Sequence, residues 1–179
     1  MFVDRRRMLQ AGLAVAGLSL VGRPAAAAET HRSLSFVNLH TGEKLSATYW
    51  EAGDYIPEAM RALNRVLRDH RTGEVHPMSP DLLDLVASLR GRLGAPAPVE
   101  IISGYRSPAS NATLHARSKG VATRSLHMQG QAIDLRIPGV ELAGLRDAAL
   151  ALRGGGVGYY PQSRFVHVDV GRVRRWQGA

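Results

Sequence analysis

Residues 125–139 read SLHMQGQAIDLRIPG, and this stretch decides how the rest of the chain is assembled. Alternation starts at Gln131. Ala132, Asp134 and Arg136 fall on one side, Ile133, Leu135 and Ile137 on the other, and Pro138-Gly139 stops the run. A period of two with one aliphatic face is the signature of a half-buried strand. Asp134 then points away from the aliphatic face, where a carboxylate needs a cation or hydrogen-bond donors. His127 sits seven positions before it, in a loop ahead of Gly130. The stretch RFVHVDV at 164–170 repeats the pattern, with His167 and Asp169 opposite Val166, Val168 and Val170.

The remaining segments fit around these two strands. VGYY precedes RFVHVDV across Pro161-Gln162-Ser163, which predicts a hairpin. VEIIS, between Pro98 and Gly104, reads as a short buried strand. Residues 34–50, LSFVNLH and KLSATYW about a turn near Thr41-Gly42-Glu43, predict another hairpin. Met60, Leu63, Val66 and Leu67 recur at helical spacing within 57–69, and Gly73 follows. Ser79-Pro80 is a helix start, a capping hydroxyl followed by proline at the first helical position. Leu82, Leu83, Leu85, Val86 and Leu89 fill that helix's inner face, and Gly94 closes it. Residues 108–116 suit a short helix or a loop, and 141–153 suit a helix broken by Gly154-Gly155-Gly156. The expected class is α+β: helices flanking one small, mainly antiparallel sheet.

Composition narrows the function. The chain has 179 residues, 45% hydrophobic and 21% charged, enough for one domain with a core. It contains no cysteine, which excludes disulfide scaffolds, Cys-ligated zinc fingers and iron–sulfur proteins. Residues 1–28 read as an export signal and 29–179 as a single domain. Arg5, Arg6 and Arg7 precede Met8-Leu9, an apolar run covers 11–21, and Ala26-Ala27-Ala28 offers a cleavage site. The stretch Asp4-Arg5-Arg6-Arg7-Met8-Leu9 resembles the twin-arginine export motif. The apolar run is too short to anchor well as a spanning helix, so no stable membrane span is expected after cleavage. Residues 1–28 carry four Arg and one Asp, so their removal brings the net charge from +8 to about +5. A modest basic excess suits an anionic polymer. Without aromatic-interleaved basic stripes, nucleic acid is the weaker choice and cell wall the better one. The oligomeric state is open.

His127, Asp134 and His167 make a candidate metal set. Two imidazoles and a carboxylate from neighbouring strands suit zinc with a free fourth corner, the arrangement that activates water for hydrolysis. Taken alone, each piece has a plain structural reading. A strand histidine can be a hydrogen-bonded core residue, and Asp134 can pair with Arg106 or Arg136. Met128 beside His127 does not make a copper set, since no thiolate is present.

Ser125, His127, Gly130, Ala132 and Asp134 spell S-x-H-x-x-G-x-A-x-D. With the upstream SGYRSP at 103–108 and the downstream FVHVDVGRVRRW at 165–176, this resembles the LAS-type zinc peptidases of family M15. That family includes D-alanyl-D-alanine carboxypeptidases and murein endopeptidases. The likeness is closest to the exported, YcbK-like (DUF882) murein endopeptidases and runs over residues 98–176. It implies a hedgehog/D-Ala-D-Ala-peptidase-like fold and one zinc per chain on His127, Asp134 and His167. It also implies a peptidoglycan stem or cross-link as substrate, and a periplasmic or cell-envelope location. Arg106 matches an arginine that binds the substrate carbonyl or a carboxylate near the scissile bond. Ser125 matches a position with a turn or His127-orienting role.

The sequence departs from many members just before the last histidine. Arg164 and Phe165 stand where an acid or histidine is usual, and neither takes up a proton. Asp169 is therefore the candidate base, or else an acceptor behind a zinc-bound histidine. His115 is a further candidate, as base or as a fourth ligand closing the site. Tyr160, or Tyr159, is placed to bind substrate or donate to a developing oxyanion, whereas Tyr105 reads as structural. Two alternatives to endopeptidase stay open: a D,D- or L,D-carboxypeptidase, and a non-catalytic peptidoglycan-binding module.

Overall fold

The computed structural model describes residues 30–118 and 120–178, so the export signal expected at 1–28 lies outside the described residues. The described chain is α+β. The strands are β1 (His31–Asn38), β2 (Lys44–Glu51), β3 (Asp54–Tyr55), β4 (Val99–Ser103), β5 (Ala132–Arg136), β6 (Gly156–Tyr160), β7 (Phe165–Asp169) and β8 (Arg174–Gln177). They form one eight-stranded sheet in the order β3-β2-β1-β4-β5-β7-β6-β8. Only the β1–β4 and β6–β8 pairs are parallel, so the sheet is mainly antiparallel, as the alternation implied.

Four α-helices join it: α1 (Pro57–Val66), α2 (Pro80–Leu93), α3 (Pro108–Arg117) and α4 (Leu142–Leu152). Leu63 and Val66 of α1, Leu82, Leu83, Val86 and Leu89 of α2, and Leu145 and Ala149 of α4 are buried in one core. That core also takes Phe36, Ile101, Ile133, Leu135, Val166 and Val168 from the sheet. The aliphatic face read from the sequence is thus the helix-covered face. Its reverse carries Asp134, His167 and Asp169.

Local signals explain most element ends. Pro80 starts α2, and Gly94 caps it in the left-handed region at φ 57°. Ser79 stands at the N-cap but makes no side-chain capping bond, contrary to the sequence expectation. The 108–116 segment is a helix because Ser107 caps it, accepting from the Ser110 amide, with Pro108 in the first turn. The strands β3 and β8 are additions to the sequence reading.

Candidate metal centre

The pairing register assembles the site. Asp134 of β5 faces His167 of β7, Ser103 of β4 lies across from Asp134, and Gly158 of β6 faces His167 from the other side. Gly158 in turn faces Trp176 of β8, so Ser103, Asp134, His167, Gly158 and Trp176 form one row across five strands.

His127 enters from above this row. It lies on a short 3-10 helix, Leu126–Gln129, whose N-cap Ser125 accepts a hydrogen bond from the His127 amide. Gly130 ends that helix at φ 65°, a left-handed turn that admits glycine and sends the chain into β5. Ser125 therefore has the turn role suggested for it.

His127 Nε2 lies 3.2 Å from His167 Nδ1 and 3.3 Å from Asp134 Oδ1, and His167 Nδ1 lies 2.8 Å from Asp134 Oδ1. A tetrahedral ion with bonds of about 2.0–2.1 Å needs ligand atoms about 3.3 Å apart. The two separations from His127 match this spacing, and the 2.8 Å His167–Asp134 pair, hydrogen-bonded here, would open by about 0.5 Å around an ion. The three residues form the one group of three or more His, Cys, Asp or Glu side chains with metal-ligand spacing among the described residues. The outward nitrogens are also engaged: His127 Nδ1 with the Gly104 carbonyl at 2.7 Å, His167 Nε2 with Asp169 Oδ2 at 2.9 Å. Each outward bond holds its ring proton outside, so both inward nitrogens present lone pairs to a metal.

Electrostatics support the assignment. Burial lowers the His127 pKa and keeps this imidazole neutral. Burial opposes charge on Asp134, but the two imidazoles packed against it, with the hydrogen bond from His167, hold its carboxyl far below the ordinary range. Burial would also lower His167, yet its bonds to Asp134 and Asp169 outweigh that and push it up to about 9. Without a metal, a proton on His167 occupies the place a cation would take.

Asp169 is fully buried. Its Oδ2 accepts from His167 Nε2 and from Arg174 at 2.7 Å, and its Oδ1 accepts from the Gly156 and Gly171 amides and again from Arg174. These bonds overcome the effect of burial and hold its carboxyl well below the usual range. Of the two roles the sequence offered it, the geometry is that of the acceptor behind His167. A base that must reach water in the cavity does not fit a carboxylate sealed on the far side of the ring.

Arg106 follows β4 in the SGYR segment and is 11% exposed. Its guanidinium is 3.6 Å from Asp134 Oδ2 and 3.4 Å from Ser103 Oγ, and its Nε finds no acceptor among the described residues. The next residue, Ser107, is tied to buried Asp69 by its amide at 2.8 Å and its hydroxyl at 2.7 Å. That anchor fixes the loop that aims Arg106.

A cavity of about 780 Å³ opens on the three candidate ligands. Arg106, Arg124, Tyr160, Phe165, Arg174 and Trp176 are among the residues that wall it. Tyr160, the candidate substrate-binding residue, thus lines the same cavity as the candidate ligands. Tyr159 does not line the cavity; its ring packs under Arg146 at 4.7 Å. His115 is exposed, bonds the Val121 carbonyl at 2.6 Å and is not part of the ligand group, so it does not close the site. Tyr105 is structural, donating to Glu74 and stacking on His76. Arg174 and Trp176 were missed by the sequence reading. Arg174-Arg175-Trp176-Gln177 shows no apolar–polar alternation that would mark a strand, so no local signal pointed to them.

Residues 26–176 match a family model described as peptidoglycan L,D-endopeptidase MepK. The peptidoglycan L,D-endopeptidase MepK of Escherichia coli K12 is 44% identical over 176 residues, covering 97% of each chain. A Shigella flexneri protein of the same description is 44% identical over 176 residues. A probable peptidoglycan L,D-endopeptidase MepK from Haemophilus influenzae is 41% identical over 179 residues, covering 98% of this chain and 96% of its own.

Proposed function

Since the chain belongs to the M15-type family of MepK-like peptidases, we infer that it is a peptidoglycan hydrolase, a murein endopeptidase that cleaves peptide cross-links or stems of the cell wall. Its cofactor in this reading is one zinc ion on His127, Asp134 and His167. The observation that carries the reading is the convergence of those three donor atoms within reach of one ion, on the wall of a cavity that arginines share.

When bound, zinc supplies Lewis acidity, which polarises a scissile carbonyl and activates water. The chain's own residues do the rest. Arg106, rigid and with donors to spare, grips the carbonyl oxygen or a neighbouring carboxylate of the substrate, and stabilises negative charge as it develops there. Tyr160 offers a phenol hydroxyl to the same region. Asp169 acts through His167: it holds the ring proton on Nε2, fixes the orientation of the ring and makes it a better donor. The Gly104 carbonyl holds the His127 ring proton on Nδ1, and Ser125, accepting from the His127 amide, fixes the turn that presents the ring.

Mass spectrometry of purified peptidoglycan incubated with the protein tests the function. Cleaved peptide fragments are expected from the zinc-supplied enzyme, lost on chelation, restored by zinc and lost in His127→Ala. Fragment release indifferent to chelator, or none from the zinc-loaded enzyme, contradicts the reading.

Residues 1–28 act in this reading as an export signal of twin-arginine type, delivering the domain to the periplasm or cell envelope. Among the described residues no helix is long and apolar enough to cross a membrane. Sequencing the N-terminus of envelope-recovered protein checks the signal, with a start near Glu29 expected. A chain found in the cytosol with its first residues intact contradicts it.

A further inference from the structure

The row across the sheet ends at Trp176, and the way it ends carries an inference about the site proposed above. Between His167 and Trp176 stands Gly158, paired with both. A Cβ on Gly158 would lie 2.6 Å from the Trp176 ring. No side chain fits there, so the indole lies over β6 and reaches the ligand histidine, with ring centroids 5.1 Å apart. Arg174, two residues earlier on the same strand face, stacks on the indole at 5.0 Å while it binds Asp169. The indole is thus held from three sides.

Its polar edge is directed too. Trp176 Nε1 donates to the Tyr160 hydroxyl oxygen at 2.9 Å. Tyr160 is two residues beyond Gly158, on the same face of β6, and its ring is fixed by stacking on Phe165 at 4.4 Å. An indole N–H only donates, so the phenol oxygen must be the acceptor of this bond. The phenol proton then has to point elsewhere. The cavity that Tyr160 shares with Arg106, His127 and His167 is open to it.

We propose that Trp176 is a positioning residue of the catalytic site: its indole N–H occupies the acceptor side of the Tyr160 hydroxyl and commits that phenol to donate into the cavity beside Arg106. The ligand this serves is the carbonyl oxygen of the scissile peptide group, or the negative charge that grows on it. The proposal rests on the endopeptidase reading of the cavity. It assigns a task to β8, which supplies no candidate metal ligand.

The test is a double-mutant cycle on the zinc-loaded, full-length chain, with cleavage of a defined cross-linked muropeptide as readout. Trp176→Phe keeps an aromatic ring and deletes the N–H. Tyr160→Phe deletes the phenol oxygen and keeps the indole. Trp176→Phe is expected to lower kcat about tenfold with KM nearly unchanged, less than the roughly 100–1,000-fold of an outright lost transition-state donor, because the phenol remains and only its orientation is freed. Tyr160→Phe lowers it at least as much, and Trp176→Phe costs nothing further in the Tyr160→Phe background. Zinc affinity stays at the wild-type value in both.

A second readout needs no activity. The chain has two tryptophans, so the indole N–H of Trp176 is resolvable by NMR in the apo protein. Its proton resonance is expected to move upfield in Tyr160→Phe. Should phenylalanine not be tolerated at 176, benzothienylalanine, which has sulfur in place of the N–H, replaces it in the cycle. An equal loss from Trp176→Phe in both backgrounds overturns the proposal, as does a neutral Trp176→Phe or an indole resonance indifferent to Tyr160. A wild-type enzyme that releases no fragments overturns the endopeptidase reading instead, and the NMR result still decides the geometry.

Discussion

Asp169→Asn separates the two chemical roles that a carboxylate two residues after His167 can have. The native carboxylate accepts five hydrogen bonds, two from Arg174, two from backbone amides and one from His167 Nε2. An asparagine has one acceptor oxygen. Kept on the Gly156 and Gly171 amides, it leaves an NH2 group facing the His167 N–H and Arg174, donors against donors. His167 loses the partner that keeps its proton on Nε2, and the tautomer with the proton on Nδ1 blocks the ligand lone pair. Loss of such a partner typically weakens metal binding 10–100-fold, about 1.4–2.8 kcal/mol. Arg174 is partly solvated, so stability falls by only about 2 kcal/mol. Competition with a chromogenic chelator measures zinc affinity, and turnover at saturating zinc measures chemistry. The expected result is weaker zinc with kcat of the loaded enzyme within about tenfold of wild type. Unchanged zinc affinity with kcat reduced a thousandfold or more would make Asp169 the proton-transfer group and refute the positioning role.

Gly158→Ala forces a methyl group into the Trp176 ring, which must shift from His167 and Tyr160. The expected cost is about 1–3 kcal/mol in stability together with reduced turnover, read by denaturant melts and muropeptide cleavage; unchanged turnover contradicts the packing described. Asp69→Asn leaves buried Ser107 short of a charged acceptor, and about 2–3 kcal/mol of stability should be lost. The loop aiming Arg106 should loosen as well, raising KM, and a variant of wild-type stability and KM counts against that anchor. His70 stacks on His40 at 3.8 Å, and burial, then the Arg71 and His40 charges, push its pKa down to about 4. Its folded pKa lies below the unfolded value of about 6.5, so the unfolded chain binds more protons between these limits. The stability of the metal-free protein should therefore fall as pH drops from about 6.5 to about 4. His70→Gln should flatten that slope, and an identical slope in the variant would sink the assignment.

Much of the fold was legible because the strands alternate cleanly. Ile133 and Leu135, or Val166 and Val168, pin the register of their strands to the helix-covered face, and a slip by one residue would bury Asp134 and His167 in the core. The same alternation placed the candidate ligands on the reverse face. Local pattern did not reveal the order of the strands. The parallel contact of β1 with β4, and of β6 with β8, joins segments far apart in sequence or joined by a loop. Nor did it reveal β8, since Arg174, Arg175, Trp176 and Gln177 have no aliphatic face to alternate. Asp169 shows the limit for a site: its face was readable, but not that Arg174 and two amides close around it. Those partners come from β8, from the start of β6 at Gly156 and from the turn at Gly171, which only tertiary structure brings together.

Anomalous diffraction at the zinc edge from crystals of the zinc-loaded protein is the decisive measurement. One peak per chain is expected, within about 2.0–2.2 Å of His127 Nε2, His167 Nδ1 and an Asp134 carboxylate oxygen, with its fourth corner toward Arg106 and Tyr160. A peak elsewhere, no peak at saturating zinc, or a fourth protein side chain closing that corner would contradict the hydrolytic centre described.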